Sequence, residues 1–361
     1  MIKKVLYICI AVAIGGLFSS LNVPAGWLLG SISTGIVSAF FVVKIHLPNN
    51  LFKLSLAMIG GNIGLMLRPD QFLDYHALMA PFLLTLILTL AGGISLGLFL
   101  KLYSNLNANT AFFCCLPGGA SEVIGLSDQY GANQQIVAAF HTTRITLFVL
   151  VIPLVVGLHA PISTQAFQTT NYAFTQYVFA LFLLFIVMVL TIVLSKRFSF
   201  PGASLFFAIG LGFLAHLMFP AVEMPGFITG IAQGIMGAII GMRFDRNTFK
   251  QIKSIGFISG VTLTMYFFMS LGLATIFFLL TPIDWFTSLL SIVPAGAAEM
   301  ASTATALNIE PSMVATLQMA RVLALFLVLP FLIKMFAKSD KIKENETMLR
   351  EKQIYIKKES K

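Results

Sequence analysis

Apolar runs long enough to cross a bilayer recur along almost the whole chain, separated by short polar or glycine- and proline-bearing breaks. The pattern predicts spanning helices over 5–21, 24–43, 51–67, 79–100 and 134–157, and again over 176–194, 201–219, 226–242, 256–280 and 311–333. Two further apolar segments, 108–127 and 286–307, are broken in the middle. At about 1.5 Å of rise per residue, each full run can cross the hydrocarbon layer, with 51–67 and 226–242 at the short limit.

The pattern occurs twice. Leu116–Pro153 reads LPGGASEVIGLSDQYGANQQIVAAFHTTRITLFVLVIP, and Val293–Pro330 reads VPAGAAEMASTATALNIEPSMVATLQMARVLALFLVLP. Pro117, Gly119, Glu122, Arg144 and Pro153 recur 177 positions later as Pro294, Gly296, Glu299, Arg321 and Pro330. The same offset carries Pro24 to Pro201, Gly35 to Gly212, Pro48 to Pro225, Gly60 to Gly237 and Gly64 to Gly241. We read this as an internal duplication over the whole length. The expected fold is an all-α integral membrane protein of two inverted repeats, each of about five transmembrane helices plus a broken or re-entrant Pro-Gly hairpin. Membrane repeat 1 covers 1–157 and an external linker 158–175. Membrane repeat 2 covers 176–334, and a cytoplasmic tail of mixed charge 335–361.

Composition agrees with this class: 58% of residues are hydrophobic and 10% charged, against roughly a quarter charged in soluble domains. The net charge of +9 reads as positive-inside bias rather than nucleic-acid affinity. If each broken segment dips in and returns, each repeat has an odd number of crossings and the repeats are opposed. With the N-terminus inside, Lys3, Lys4, Lys44, Lys53, Lys101, Lys196, Arg197, Arg243, Arg246, Lys250, Lys253 and the tail from Lys334 fall inside, and Arg68 alone outside. Both termini are then cytoplasmic, and the location is the cell membrane. The first 21 residues look like a signal peptide but are kept as a retained helix, because the repeat pairs them with an internal segment. Cys9, Cys114 and Cys115 sit in apolar sequence, and no disulfide is expected.

The candidate chemistry lies in the duplicated stretch. Pro117, Gly118 and Gly119, and Pro294 with Gly296, break helices at membrane depth and free backbone groups for a solute or ion. The alternative is a packing kink. Glu122 and Glu299 are costly intramembrane carboxylates. They are either ligands for a cation, proton or amine, or structural partners of Arg144 and Arg321. An arginine at a helix centre costs about 2.5–3.5 kcal/mol on insertion scales, so it needs a carboxylate or an anionic solute. His141 lies one turn before Arg144, and Gln318 takes that place before Arg321. His141 is either a titrating group or a plain hydrogen-bonded histidine. Gly60, Gly61, Gly64, Gly234, Gly237 and Gly241 read as close helix packing. The histidines show no metal-ligand spacing, and there is no nucleophile elbow, Walker loop or dinucleotide fingerprint. No enzyme activity, cofactor or metal is expected.

The PGGASE and PAGAAE motifs, each followed by an intramembrane Arg and then Pro, resemble the membrane AbrB family, whose hallmark is an internal duplication. The likeness extends to about Pro330. Its members carry the labels of regulators of gene expression or of ammonia monooxygenases. The second label finds no copper-oxygenase histidine pattern here, and without a DNA-binding module regulation would be indirect. Architecturally the chain is similar to citrate-type sodium symporters with paired hairpins. The expected function is a secondary transporter or exporter of a small polar solute or ion, with a membrane-bound regulator as the alternative. Its partners are the lipid bilayer and the solute, with no direct nucleic acid, and a homo-oligomer is left open.

Overall fold

The computed structural model describes residues 2–42, 45–67, 75–159, 174–198, 200, 202–220, 222, 224–329 and 331–332. Among these residues every regular element is helical. In the first half, α1 is Ile2–Ser20, α2 Gly26–Val37, α3 Asn49–Met66, α4 Met79–Tyr103, α5 Ala108–Cys115, α6 Ala120–Gln129 and α7 Gln134–His159. In the second, α8 is Phe174–Arg197, α9 Ala203–Met218, α10 Gly226–Arg243, α11 Arg246–Ile255, α12 Phe257–Leu280, α13 Trp285–Ile292, α14 Ala297–Leu307 and α15 Pro311–Leu329. The starts of α2, α3, α5, α6 and α7 each lie 177 positions before those of α9, α10, α13, α14 and α15. The duplication is therefore a duplication of elements as well as of letters.

Among the described residues seven helices, α1, α4, α7, α8, α10, α12 and α15, are long and apolar enough to cross a membrane, and α2 and α9 are shorter apolar helices. The segment expected at 51–67 falls below that hydropathy. Its helix, α3, carries Asn49, Asn50, Lys53 and Asn62, and it buries Ile59, Gly60 and Ile63 against neighbouring helices. A helix with protein around it needs less apolar surface than one facing lipid. The opposite case is α8, which exposes Phe182, Phe185 and Val193, as does α12 with Phe268 and Leu279. An apolar belt of this extent is what a lipid-facing surface requires.

The helix contacts obey the same offset. The α2 helix packs on α10, and α3 on α9. A Cβ on Gly241 would collide with the Ile32 carbonyl and press on Gly35. A Cβ on Gly64 would collide with the Ile209 carbonyl and press on Gly212. These are one crossing built twice, with each glycine giving room for the partner's backbone. Gly241→Ala is expected to lower stability by about 1–3 kcal/mol. Gly260→Ala, where a methyl meets open space, should not. The melting temperature in detergent distinguishes them.

The helix α11 does not appear in the expected pattern. Asp245 caps it by accepting from the Thr248 amide at 2.8 Å. Ile252 and Ile255 pack on the core, while Arg246, Lys250 and Lys253 are exposed. The D-R-N-T start and the three-residue spacing of Phe249, Ile252 and Ile255 were its legible signals.

Candidate functional site

Both broken segments are pairs of half-helices. In the first, Asn107 caps α5 by accepting from the Thr110 amide. Pro117 cannot continue the helix, so α5 ends at Cys115 and the chain runs extended through Leu116 and Gly119 into α6. The end of α6 then returns to the start of α5. Asn107 Nδ2 donates to the Gly131 carbonyl at 3.1 Å and Asn109 Nδ2 to the Tyr130 carbonyl at 2.8 Å. The Asn133 amide donates to Thr110 Oγ1 at 2.8 Å. In the second segment Asp284 caps α13, which ends before Pro294. Gly296, at φ 106°, opens α14, and Asn308 closes it in the left-handed region. Only glycine holds the Gly296 conformation without strain. Gly118 and Gly119 at the first break are half-buried, whereas Ala295 at the second is fully buried.

Each break is met by one long helix. His141 Nε2 bonds the Phe113 carbonyl at 2.9 Å, and Gln318 Nε2 bonds the Leu290 carbonyl at 2.6 Å. Phe113 and Leu290 are themselves 177 positions apart. Arg144 Nη2 stands 3.1 Å from His141 Nδ1. Arginine can only donate, so Nδ1 accepts and Nε2 carries the proton given to Phe113. In this bonding pattern His141 is neutral and fully used.

The two arginines then part ways. Arg321 Nη1 donates to the carbonyls of Ile292 and Val293 at 2.9 and 2.8 Å, satisfying the frayed end of α13. Gln318 Nε2 adds a bond to Val293 at 3.1 Å, and its Oε1 is buried without a partner. Arg144 holds no such carbonyls. Its guanidinium lies 4.8 Å over the Tyr266 ring, and Nε and Nη1 have no hydrogen-bond partner. It is nevertheless only 2% exposed.

Of the two readings of Glu299, the ion pair with Arg321 is not formed among the described residues. The Glu299 carboxylate folds back over Gly296 at the start of its own helix. A carboxylate on the third residue of a helix is stabilised by the free amides and positive end of that helix. This local capping competes with the longer reach to Arg321. The Glu122 side chain lies outside the described residues. Pro330 lies outside them as well. Among the polar residues at the ends of the hairpins, Asn133 caps α7, while Ser127, Thr303 and Thr305 bond backbone carbonyls.

Arg243 lines a cleft of about 460 Å³ beside α11, together with His46, Asn49, Gln135, Thr142 and Asp245. Its guanidinium sits 4.6 Å over the Phe52 ring. Sequence reasoning had counted Arg243 only as an inside charge, and it missed Tyr266. The available signal for Tyr266 was a lone tyrosine within the apolar run of α12. Its counterpart in the first repeat is Thr89.

The family described as "Transition state regulatory protein AbrB" matches residues 27–337. Protein YhjN of Bacillus subtilis (strain 168) is 26% identical over 358 residues, covering 91% of this chain and 92% of that protein. The "Putative regulator AbrB" of Escherichia coli (strain K12) is 23% identical over 317 residues, covering 87% and 90%. With the match running from α2 past α15, and with both relatives covered almost end to end, the chain belongs to the membrane AbrB family.

Proposed function

We propose that the protein is a secondary transporter or exporter of a small polar solute, working in the cell membrane with both termini cytoplasmic. Its core would be two inverted five-helix repeats whose hairpins re-enter from opposite sides. The observation that carries this reading is the return of α6 to the start of α5 through Asn107, Asn109 and Thr110. A segment that ends where it began would not cross, and with the second hairpin alike each repeat would have five crossings and the two halves would be opposed. Paired broken helices at equivalent places in two repeats are the usual position of a transporter's solute site. The solute would sit where the breaks meet the buried polar groups of α7 and α15. The cleft beside Arg243 lies among the residues read as cytoplasmic and would supply an entry.

Reconstitution into liposomes tests this reading. Uptake of at least one labelled solute is expected, and Arg144→Gln should reduce it by about tenfold or more. Full activity of both Arg144→Gln and Glu122→Gln in a working assay would remove the hairpins as the site.

The names of the matched family and of the Escherichia coli relative favour a second reading, a membrane-bound regulator that senses a ligand and acts through a partner. It predicts ligand binding without flux, and loss of the regulatory phenotype when Lys334–Lys361 is removed.

A further inference from the structure

The Arg144 side chain is the least balanced group in the core. A guanidinium has five N–H donors and no acceptor. Arg144 spends one, from Nη2 to His141, and leaves Nε and Nη1 unpartnered in a position that is 2% exposed. Whichever Nη2 hydrogen His141 takes, one two-point fork stays free, either Nε with Nη2 or Nη1 with Nη2. The Tyr266 ring lies 4.8 Å from this guanidinium, and the Tyr266 hydroxyl is also buried without a partner.

Among the described residues no carboxylate bonds Arg144. A water could take an unpartnered N–H but would leave the buried charge unbalanced, whereas an anion answers both needs. Arg321 differs in that its Nη1 is already committed to two carbonyls at the end of α13. The duplication thus supplied two arginines, one of which closes a helix end while the other stays open.

We infer that the free fork of Arg144, with the Tyr266 hydroxyl, is a binding site for a small carboxylate. This rests on reading the hairpin region as a solute site, and it names the class of that solute. A planar two-oxygen group matches the planar fork, and its second lone pairs reach the tyrosine hydroxyl.

The test is thermal stability of the purified full chain in detergent, at constant ionic strength. The probes are acetate, lactate and succinate, set against inorganic phosphate, ammonium and methylamine. At least one carboxylate should raise the melting temperature of the wild type saturably. Arg144→Gln should abolish that rise. Tyr266→Phe, which keeps the ring and removes one hydroxyl, should weaken the half-saturating concentration by about tenfold. Stabilisation by amines or phosphate alone would overturn the inference, as would a carboxylate response that survives in Arg144→Gln, or no carboxylate response at all. The same carboxylate is then offered to liposomes. Binding that depends on Arg144 but brings no flux would keep the carboxylate site and remove the transporter reading. Flux of an amine without carboxylate binding would do the reverse.

Discussion

Arg321→Met is expected to destabilise the unliganded protein by about 2–4 kcal/mol, while Arg144→Met leaves its stability unchanged or raises it. Both residues are buried arginines at equivalent places on equivalent helices, so sequence alone predicts equal effects. The partners break the tie. Arg321 makes two charge-assisted bonds to Ile292 and Val293 at the end of α13. Such bonds contribute roughly 1.5–3 kcal/mol each, and their loss leaves carbonyls with fewer partners. Part of that loss is offset because a buried charge disappears with the arginine. Arg144 makes one bond to a side chain, stacks on Tyr266 and leaves two nitrogens unmet. Removing it relieves a burial penalty of several kcal/mol and exposes no frayed helix end. Paired unfolding curves in detergent decide the point, and equal destabilisation of both variants would contradict the division of labour described above.

Gly296→Ala is expected to cost about 3–5 kcal/mol, more than any other methyl addition at the two breaks. Two penalties coincide there. At φ 106° and ψ 125° the backbone lies in a region that L side chains rarely occupy, which costs on the order of 1–3 kcal/mol. The new Cβ would also collide with the folded-back Glu299 carboxylate, adding about 1–3 kcal/mol of overpacking unless that carboxylate leaves its cap. Gly119 holds the equivalent place in the first repeat at φ −64° and ψ 124°, an ordinary conformation for any residue. Gly119→Ala is therefore free of the backbone penalty. Measuring both melting temperatures separates a strain held at the second break from a general need for small residues.

These asymmetries bear on how a duplicated chain acquires one site. At the second break Ala295 is fully buried, and Nη1 of its arginine is spent on two backbone carbonyls. The first keeps Gly118 and Gly119 partly open, and its arginine retains unused donors. The replacement of His141 by Gln318 follows the same line. Each holds an equivalent carbonyl of the facing half-helix, but only the imidazole also receives the arginine.

Much of the architecture was legible in the letters because it rests on local and periodic causes. Long apolar runs demand helices in lipid, Pro117 and Pro294 must end a helix, and a fixed offset of 177 positions makes each half predict the other. The glycine pairs that let α2 meet α10 and α3 meet α9 were readable as small residues at contact spacing. Other features depended on geometry between distant residues. The Glu299 carboxylate lies over Gly296 because a helix start draws it back along its own chain. The ring beneath Arg144 belongs to Tyr266, which lies 122 positions away on α12. No spacing in the sequence encodes that contact. The sequence by itself determined the helices, their breaks and their doubling, since these follow from solvent and backbone chemistry. Which of two equivalent arginines holds the end of a half-helix and which keeps unpartnered donors was decided only by the tertiary structure, because a buried charge takes its partner from whatever the packing brings within a few ångströms.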